Sequence, residues 1–450
     1  MTKSLNLARN FSTQITKSAS ENLKPKKLPT IGIVGFSPLT VAHLNKEIVQ
    51  YGNARGLSND QDFPDMLTIG LNNVGKKIMF IDQVKLCYDF GSDIIVAPDR
   101  VGESRLDEMT YDSTGVNALF LETNIKDLAK KALDIALDME KSRRPNLVFS
   151  KINCHENDQP EILKNLLKDE ADRKERIQQR KKLEPYSILN DRKFVGVLGG
   201  AGPLASAIAC QKLAEQGLNY IHYSVNSAPG KHLFEMKVGP SYINHYSSAT
   251  RFLDQIGVSS IVIPCNTAHK RLSEFCDKSS LKKVVDIRQS VLAQNSSVEG
   301  FIILGTSRTV GVGLPENSGE GIYEEFRREK FPDSKSFIVP SEVQQEIIMQ
   351  AIFDIKAGKL EGAKFNINKV IKEIREELNN NNIPVIFACT ELPLPYEKAE
   401  IVAGNIIDPV DAMAVEVKKL LDKSNKKTPS SKTAAKSISS LVNNNQTKEL

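Results

Sequence analysis

The sequence predicts an α/β protein with parallel sheets, and two features of its pattern carry this prediction. From about residue 29 onward, short apolar runs alternate with longer segments of helical period, which is typical of parallel strands covered by helices. Runs such as "TIGIVGF", "SDIIVAP", "FVGVLGG", "SSIVIPC" and "IPVIFAC" are rich in Val and Ile and end in small residues, Pro or Cys. They are expected to form buried strands that lead into turns.

An internal repeat divides the predicted strands into related groups. "IGIVGFSPLT" from Ile31 matches "VGVLGGAGPLA" from Val195, and "GSDIIVAPDR" from Gly91 matches "GVSSIVIPCN" from Gly257. The second members follow the first by 164 and 166 residues, and chance similarity between apolar strands would not keep these offsets nearly equal. We therefore interpret the earlier segment as a diverged copy of the later lobe.

The repeat and the composition together predict six regions. They are an arm at 1–28, a degenerate α/β lobe at 29–145, a charged helical connector at 146–192, a first lobe at 193–298 completed by a helix at 408–422, a second lobe at 299–407 and a tail at 423–450. The arm and the tail have few apolar residues and are expected to be disordered, although the Ser/Thr/Lys-rich arm leaves an organellar presequence open. In the degenerate lobe Asp99 and Arg100 replace a cysteine and an asparagine, so we expect that lobe to have a structural role.

The composition argues against several functional classes. The net charge is only +5, and no basic stripe is interleaved with aromatic residues, so a nucleic-acid partner is not expected. The six cysteines have no C-x-x-C spacing, which argues against a disulfide framework and a metal site. We find neither a secretory signal nor a membrane span in the sequence, and we expect a cytoplasmic protein without a membrane partner.

A glycine-rich turn follows the strand at 195–199. Its sequence, "GAGPLA" from Gly200, fits the dinucleotide pattern G-x-G-x-x-A, in which backbone N–H groups at a helix start approach an anion. The acid that should end the next strand is missing, because "IHYSV" is followed by Asn226, and no Gly-Lys-Ser/Thr follows the turn. The turn therefore predicts either an anion-binding loop for another ligand or a tight strand-to-helix connection.

Two cysteines stand at the carboxyl ends of predicted parallel strands, where α/β sheets bind their ligands. Cys265 lies in "IVIPCNTAH" and Cys389 in "VIFACTELP", and a helix-like segment is expected after each. The partial positive charge of a helix N-terminus favours the thiolate, so each thiol is predicted to ionise near neutral pH. A buried cysteine that acts as a small hydrophobic residue is the alternative for either one alone.

Three motifs together resemble the aspartate/glutamate racemase family: "LGGAGPLAS", "PCNTAH" and "CTELPLP". The segment "VPSEVQQEIIMQAIFDIKAG" also looks like the one between that family's two cysteine motifs, and the resemblance extends over roughly residues 193–420. It implies two pseudo-symmetric Rossmann-like lobes with a cleft between them. It also implies racemisation of a small, acidic amino acid without a cofactor, by proton transfer at Cα between a thiolate and a thiol.

The resemblance assigns roles to particular positions. The catalytic residues are Cys265 and Cys389, and the substrate-binding residues are Gly200, Asn266, Thr267, Thr390, Glu391, Lys356 and Lys231. Aspartate-specific members carry an arginine after the second strand, whereas this chain has "NSAPGKHLFE", in which Lys231 would stand in without the bidentate fork of Arg. This departure leaves the choice among aspartate, glutamate and another substrate open.

Other functions compatible with the motifs remain open at this stage. Hydantoin racemase and maleate isomerase share the two-lobed fold, whereas decarboxylases of this fold keep one cysteine. A non-catalytic amino-acid-binding protein on the same scaffold is a candidate from a different class, and a nicotinamide-dependent oxidoreductase is disfavoured by the missing acid. The expected partner is a small-molecule amino acid, and a homodimer is left open.

Overall fold

The structure is a computed structural model with two β-sheets covered by helices. It describes residues 30–35, 37–57, 63–70, 87, 92, 94–97, 109–110, 117–121, 125–138, 146–150, 193–200, 202–226, 240–314, 320–331 and 335–427. The predicted arm at 1–28, most of the connector, Asp99, Arg100 and Lys231 lie outside these residues. None of the helices in the described part of the chain has the length and apolar character needed to cross a membrane.

The larger sheet has nine strands. They are β1 (Ile31–Gly35), β2 (Met66–Gly70), β3 (Ile94–Ala97), β4 (Met109–Thr110), β5 (Asn117–Leu121), β6 (Asn146–Ser150), β7 (Phe194–Gly199), β8 (Asn219–Ser224) and β9 (Ser260–Val262). Their order is β4-β5-β6-β3-β1-β2-β8-β7-β9. Neighbours are parallel except at the β4–β5 and β2–β8 pairs.

The smaller sheet has four parallel strands in the order β11-β10-β12-β13. They are β10 (Gly300–Leu304), β11 (Ser336–Ile338), β12 (Val385–Phe387) and β13 (Ile406–Ile407). Helices cover both sheets, and the connections between successive parallel strands mostly pass through them. The predicted α/β class with predominantly parallel sheets is confirmed.

Thirteen α-helices are present in the described residues. They are α1 (Pro38–Ala54), α2 (Ile125–Asp138), α3 (Pro203–Glu215), α4 (Pro240–Gln255), α5 (Leu272–Phe275), α6 (Lys278–Lys283), α7 (Ile287–Gln294), α8 (Ser307–Val310), α9 (Ile322–Lys330), α10 (Glu342–Lys356), α11 (Leu360–Glu377), α12 (Lys398–Ala403) and α13 (Pro409–Lys427). A 3₁₀-helix, Thr267–Arg271, precedes α5.

Local sequence explains where the helices that position the site begin. The side chain of Ser37 accepts a hydrogen bond from the Thr40 N–H, and Pro38 supplies the first residue of α1. A reciprocal capping box between Ser341 and Gln344 starts α10. Helix α3 begins without a side-chain cap, because Gly202 stands at its N-cap position.

The degenerate lobe and the first lobe share one sheet rather than forming separate units. β2 pairs antiparallel with β8, and the strands β3-β1-β2 on one side mirror β9-β7-β8 on the other. Helix α1 packs on α3, and Lys46 Nζ donates to Gln211 Oε1 at 3.4 Å. The two copies of the repeat are therefore related by an approximate two-fold axis at the β2–β8 seam.

Two predicted boundaries need correction. Residues 146–150, assigned to the charged connector, form β6, which pairs with β3 and β5 inside the nine-stranded sheet. Residues 423–427, assigned to the disordered tail, instead form the end of α13, which continues to Lys427. This helix packs on the first lobe, where Val410, Met413 and Val417 share a core with Val195 and Val197.

Candidate active site

Cys265 lies just after β9, in a turn that leads into the 3₁₀-helix. The residue is partly exposed, and the backbone N–H groups of Thr267 and Ala268 lower the pKa of its thiol. His269 fixes this turn: its Nε2 accepts from the Ile287 N–H at 3.3 Å, so Nδ1 carries the proton and donates to the Cys265 carbonyl oxygen at 2.9 Å. The first thiol is thus held on a rigid loop at the carboxyl end of its strand.

Cys389 occupies the matching place in the second lobe, two residues after β12. It is 7% exposed, and its Sγ donates to Glu391 Oε2 at 3.1 Å. The expected helix after this thiol is wrong, because turns connect Cys389 to α12 and the prolines Pro393 and Pro395 interrupt the segment. A carboxylate therefore lies beside this sulfur where a helix N-terminus was expected.

The two cysteine loops contact each other. Thr390 Oγ1 lies 3.4 Å from the Pro264 carbonyl oxygen, and Pro264 is the residue before Cys265. A second contact joins the lobes through Thr267 Oγ1, which lies 3.4 Å from Thr306 Oγ1 and 3.3 Å from Thr309 Oγ1. Thr267 and Thr390, predicted to bind substrate, therefore hold the two lobes together in this structure.

Glu391 connects the second lobe to the glycine-rich turn of the first. Its buried carboxylate has Oε1 at 3.7 Å from Lys356 Nζ, at the end of α10, and Oε2 at 3.2 Å from Thr390 Oγ1. A Cβ atom at Gly202 would lie 2.7 Å from Glu391 Oε1. Glycine at position 202 therefore allows the close approach of this carboxylate. In this structure the glycine-rich turn lies against the side chain of Glu391, an anion that belongs to the protein itself.

Gly200 has a different role in the same turn. Its φ of +119° is a conformation that L side chains rarely adopt, and a Cβ there would lie 3.0 Å from both the Val225 carbonyl oxygen and Tyr246 Oη. These constraints account for glycine at this position as a requirement of the turn. Direct contact of Gly200 with a substrate stays a prediction.

Asn266 is oriented by a residue that the sequence did not indicate. Tyr323 on α9 donates its hydroxyl to Asn266 Oδ1 at 2.9 Å, and both side chains are buried. Asn266 Nδ2 has no acceptor among the described residues. The amide N–H₂ group is therefore available to a ligand, and the orientation of the amide is set across the two lobes. No local pattern around Tyr323 could have indicated this contact.

Burial dominates the electrostatics of both thiols. It raises the pKa of Cys265 to about 11; the Ala268 and Thr267 N–H groups and Lys356 lower this pKa, and Glu391 raises it. The pKa of Cys389 is raised well above its usual range, first by burial and then by the charge and hydrogen bond of Glu391. Burial therefore opposes the predicted ionisation of the two thiols near neutral pH, whereas the Thr267 and Ala268 N–H groups and Lys356 favour it at Cys265. The same Glu391–Lys356 pair acts on both sulfurs.

Two cavities help to locate the site. One cavity, of about 550 Å³, lies where β7 and β9 begin, at the opposite end of the sheet from the thiols, between Lys193, Lys283 and α13. A small cavity of about 20 Å³ adjoins Glu391 and Lys356. Among the residues described, no group of three or more His, Cys, Asp or Glu side chains could hold a metal ion.

The chain is similar to solved structures of aspartate and glutamate racemases. Aspartate racemase of Picrophilus torridus is 25% identical with a TM-score of 0.42, over 50% of this chain and 93% of that one. An aspartate racemase homologue from Pyrococcus horikoshii is 22% identical with a TM-score of 0.40, over 51% and 98%. Glutamate racemase of Francisella tularensis in complex with D-glutamate is 18% identical with a TM-score of 0.36, over 53% and 84%.

These similarities cover about half of the chain. No protein-family model matches the chain. The fold and the site together define a two-lobed α/β protein that presents one cysteine thiol from each lobe beside a shared Glu–Lys ion pair.

Proposed function

We propose that this chain is a cofactor-independent racemase of a small, acidic amino acid, with Cys265 and Cys389 as its two acid/base groups. One observation carries the proposal. The two thiols end equivalent strands of different lobes, their loops meet through Thr390 and Pro264, and one ion pair acts on both sulfurs. An arrangement of this kind suits a substrate carbon held between two thiols.

The chemistry needs two groups because inversion removes a proton from one face of Cα and delivers one to the other. A thiolate takes the Cα proton and becomes a thiol, while the opposing thiol gives its proton to the carbanion and becomes a thiolate. The number of protons is unchanged, and the two cysteines exchange roles with the handedness of the substrate. Cysteine suits this exchange because both its forms are accessible when its pKa is tuned.

Because burial raises the pKa of both thiols, the site must stabilise a thiolate before proton transfer at Cα can begin. Glu391 Oε2 accepts a hydrogen bond from the Cys389 thiol, so transfer of that proton to the carboxylate produces a thiolate without any proton leaving the site. On the other side, the N–H groups of Thr267 and Ala268 stabilise a Cys265 thiolate. The ammonium group of a bound amino acid would favour either thiolate further.

The same residues support an acidic substrate. Lys356 provides a cation next to the thiols, and Asn266 Nδ2 is a buried donor aimed by Tyr323. A carboxylate is the acceptor that both groups favour. Lys231 lies outside the described residues, and its role stays a prediction. A hydantoin ring offers no carboxylate to these donors, whereas maleate offers two, so maleate belongs among the substrates that are assayed beside aspartate and glutamate.

A second candidate is a binding protein that holds a dicarboxylic amino acid without reaction. Burial, which raises the pKa of both thiols, favours this candidate because it disfavours the thiolate that proton transfer needs. Incubation with single L- and D-amino acids in D₂O separates the two candidates. We expect deuterium at Cα together with formation of the other enantiomer for aspartate or glutamate. Saturable binding of these amino acids without exchange would instead support the binding protein.

A further inference from the structure

The end of helix α1, in the degenerate lobe, lies against the candidate active site. Helices α1 and α3 pack antiparallel, as the Lys46–Gln211 contact and the packing of Leu204 against the core around Val49 require. Antiparallel packing places the last turn of α1 beside the first turn of α3. That first turn begins at Gly202, which contacts the Glu391 carboxylate.

The small cavity beside Glu391 and Lys356 shows this juxtaposition directly. Asn53 of α1 and Phe63 line it from the degenerate lobe, opposite Lys356 of α10. Its volume of about 20 Å³ is room for roughly one water molecule, which is also the scale of a small polar group. The cavity adjoins Lys356 on the side away from Cys389, since Glu391 Oε2 points at the thiol and Oε1 at the lysine.

The side of the cavity formed by Asn53 and Phe63, which we call the wall, is held firmly in place. Phe63 is 2% exposed, and its ring packs so closely on Gly52 that a Cβ there would collide with it. Asn226, after β8, donates its Nδ2 to the Pro64 carbonyl oxygen at 2.8 Å, which ties the segment with Phe63 to the first lobe. A wall fixed by packing and by a buried hydrogen bond can discriminate between ligands by size and polarity.

We propose that the degenerate lobe supplies the third wall of the substrate pocket and selects the side chain of the amino acid. The distal carboxylate of the substrate extends towards Lys356, Asn53 contributes a carboxamide donor to it, and Phe63 limits its length. This inference rests on the proposed function for the position of the substrate, and it gives the retained half-copy a role beyond packing.

The experiment uses the full chain with Asn53→Asp, Asn53→Leu and Phe63→Leu. Gln50→Leu is the matched control, because Gln50 is an exposed amide on the same helix. Cα deuterium exchange gives KM and kcat for aspartate and glutamate, and calorimetry gives their affinities. We expect Asn53→Asp to raise KM and Kd about tenfold or more, because it places a like charge beside the distal carboxylate. Asn53→Leu only removes a hydrogen-bond donor, so it should raise KM and Kd by a smaller factor.

We expect Phe63→Leu to improve the relative KM of the longer of the two substrates, because it opens the wall. Unchanged constants in the Asn53 variants, equal to those of Gln50→Leu, would overturn the proposal even if the wild type racemises. Binding without exchange in the wild type would contradict the proposed function alone, and the Asn53 variants would still test the wall by affinity. A wild type that neither exchanges nor binds acidic amino acids would overturn both.

Discussion

The Thr390 hydroxyl lies 3.4 Å from the Pro264 carbonyl oxygen, and this contact joins two loops from different sheets. Each loop carries a cysteine, one directly after Pro264 and the other directly before Thr390. Because the contact involves residues adjacent to both thiols, it fixes the relation between them more directly than the packing of the lobes does. The predictions below follow from this arrangement and from the Glu391–Lys356 pair beside it.

Cys265 should be the first of the described cysteines to react with iodoacetamide. Cys265 is partly exposed, whereas the other four described cysteines, Cys87, Cys210, Cys276 and Cys389, are buried. Its own pKa of about 11 means that the thiolate fraction, and hence the labelling rate, should rise about tenfold per pH unit between pH 7 and 10. Mass spectrometry of labelled peptides gives the order. Prior labelling of a buried thiol, or no protection by aspartate or glutamate, would contradict the assignment.

Glu391→Gln should change reactivity and catalysis in opposite directions. The substitution removes a negative charge that raises the pKa of both thiols, so iodoacetamide labelling of Cys389 at pH 8 should become faster. It also removes the acceptor of the Cys389 proton, so kcat should fall by about 10²-fold or more. Glu400→Gln, at an exposed acid on α12, is the control. A parallel rise or a parallel fall of both quantities would argue against a proton-accepting role.

Tyr323→Phe should weaken substrate binding while the protein stays folded. Loss of the hydroxyl leaves Asn266 Oδ1 without its donor and frees the amide to rotate, which costs about 1–3 kcal/mol for a buried group. We expect KM to rise about tenfold with a smaller change in kcat, because the orientation of a binding group is lost. Asn266→Ala should make a second Tyr323→Phe substitution nearly silent. Additive effects of the two changes would show that they act independently.

The seam between β2 and β8 should make stability depend on acid. His222 is buried opposite Thr68, its Nδ1 lies 3.3 Å from Thr68 Oγ1 and 3.4 Å from Asn45 Nδ2, and burial lowers its pKa to about 3. The unfolded chain binds a proton at this histidine below about pH 6.5, whereas the folded chain does not until about pH 3. Stability should therefore be complete above pH 6.5 and fall as the pH drops below it.

Denaturant unfolding between pH 6 and 4 measures this effect. His222 should contribute a loss of about 1.4 kcal/mol in the free energy of unfolding per pH unit across that window. His269, whose pKa burial also lowers, adds a slope of the same sign. His222→Gln should reduce the total slope, whereas His43→Gln, at an exposed position on α1, should leave it unchanged. An unaltered slope in His222→Gln would show that the seam histidine does not carry the acid sensitivity.

Local pattern predicted the strands and the ends at which the thiols lie, because each thiol follows an apolar run with small residues after it. The pairing of Cys389 with Glu391 could have been predicted from the sequence, since the two residues lie two positions apart. The hydrogen bond between Tyr323 and Asn266 could not have been predicted, because it joins residues 57 positions apart in two different lobes. Asn53 and Phe63 were also missed, since only tertiary packing brings α1 to the site.

Two errors in the predicted fold have physical causes. β6 is a five-residue run next to a strongly charged stretch, and its place in the sheet depends on pairing with β3 and β5, which the local pattern does not encode. The common sheet of the two copies depends on β2 meeting β8 about 150 residues away. A repeat in the sequence indicates that two units are related, but it does not reveal which edges they share.

Racemisation of aspartate and glutamate in D₂O by the wild type, Cys265→Ser and Cys389→Ser tests the central claim most directly. In the wild type, deuterium should appear in the product enantiomer while the recovered substrate keeps its hydrogen at early times, because different thiols remove and deliver the proton. Each Ser variant should remain folded and lose turnover by about 10²-fold or more, whereas Cys276→Ser should retain it. Racemisation within a few-fold of wild type by either folded variant, Cys265→Ser or Cys389→Ser, would contradict the two-thiol account.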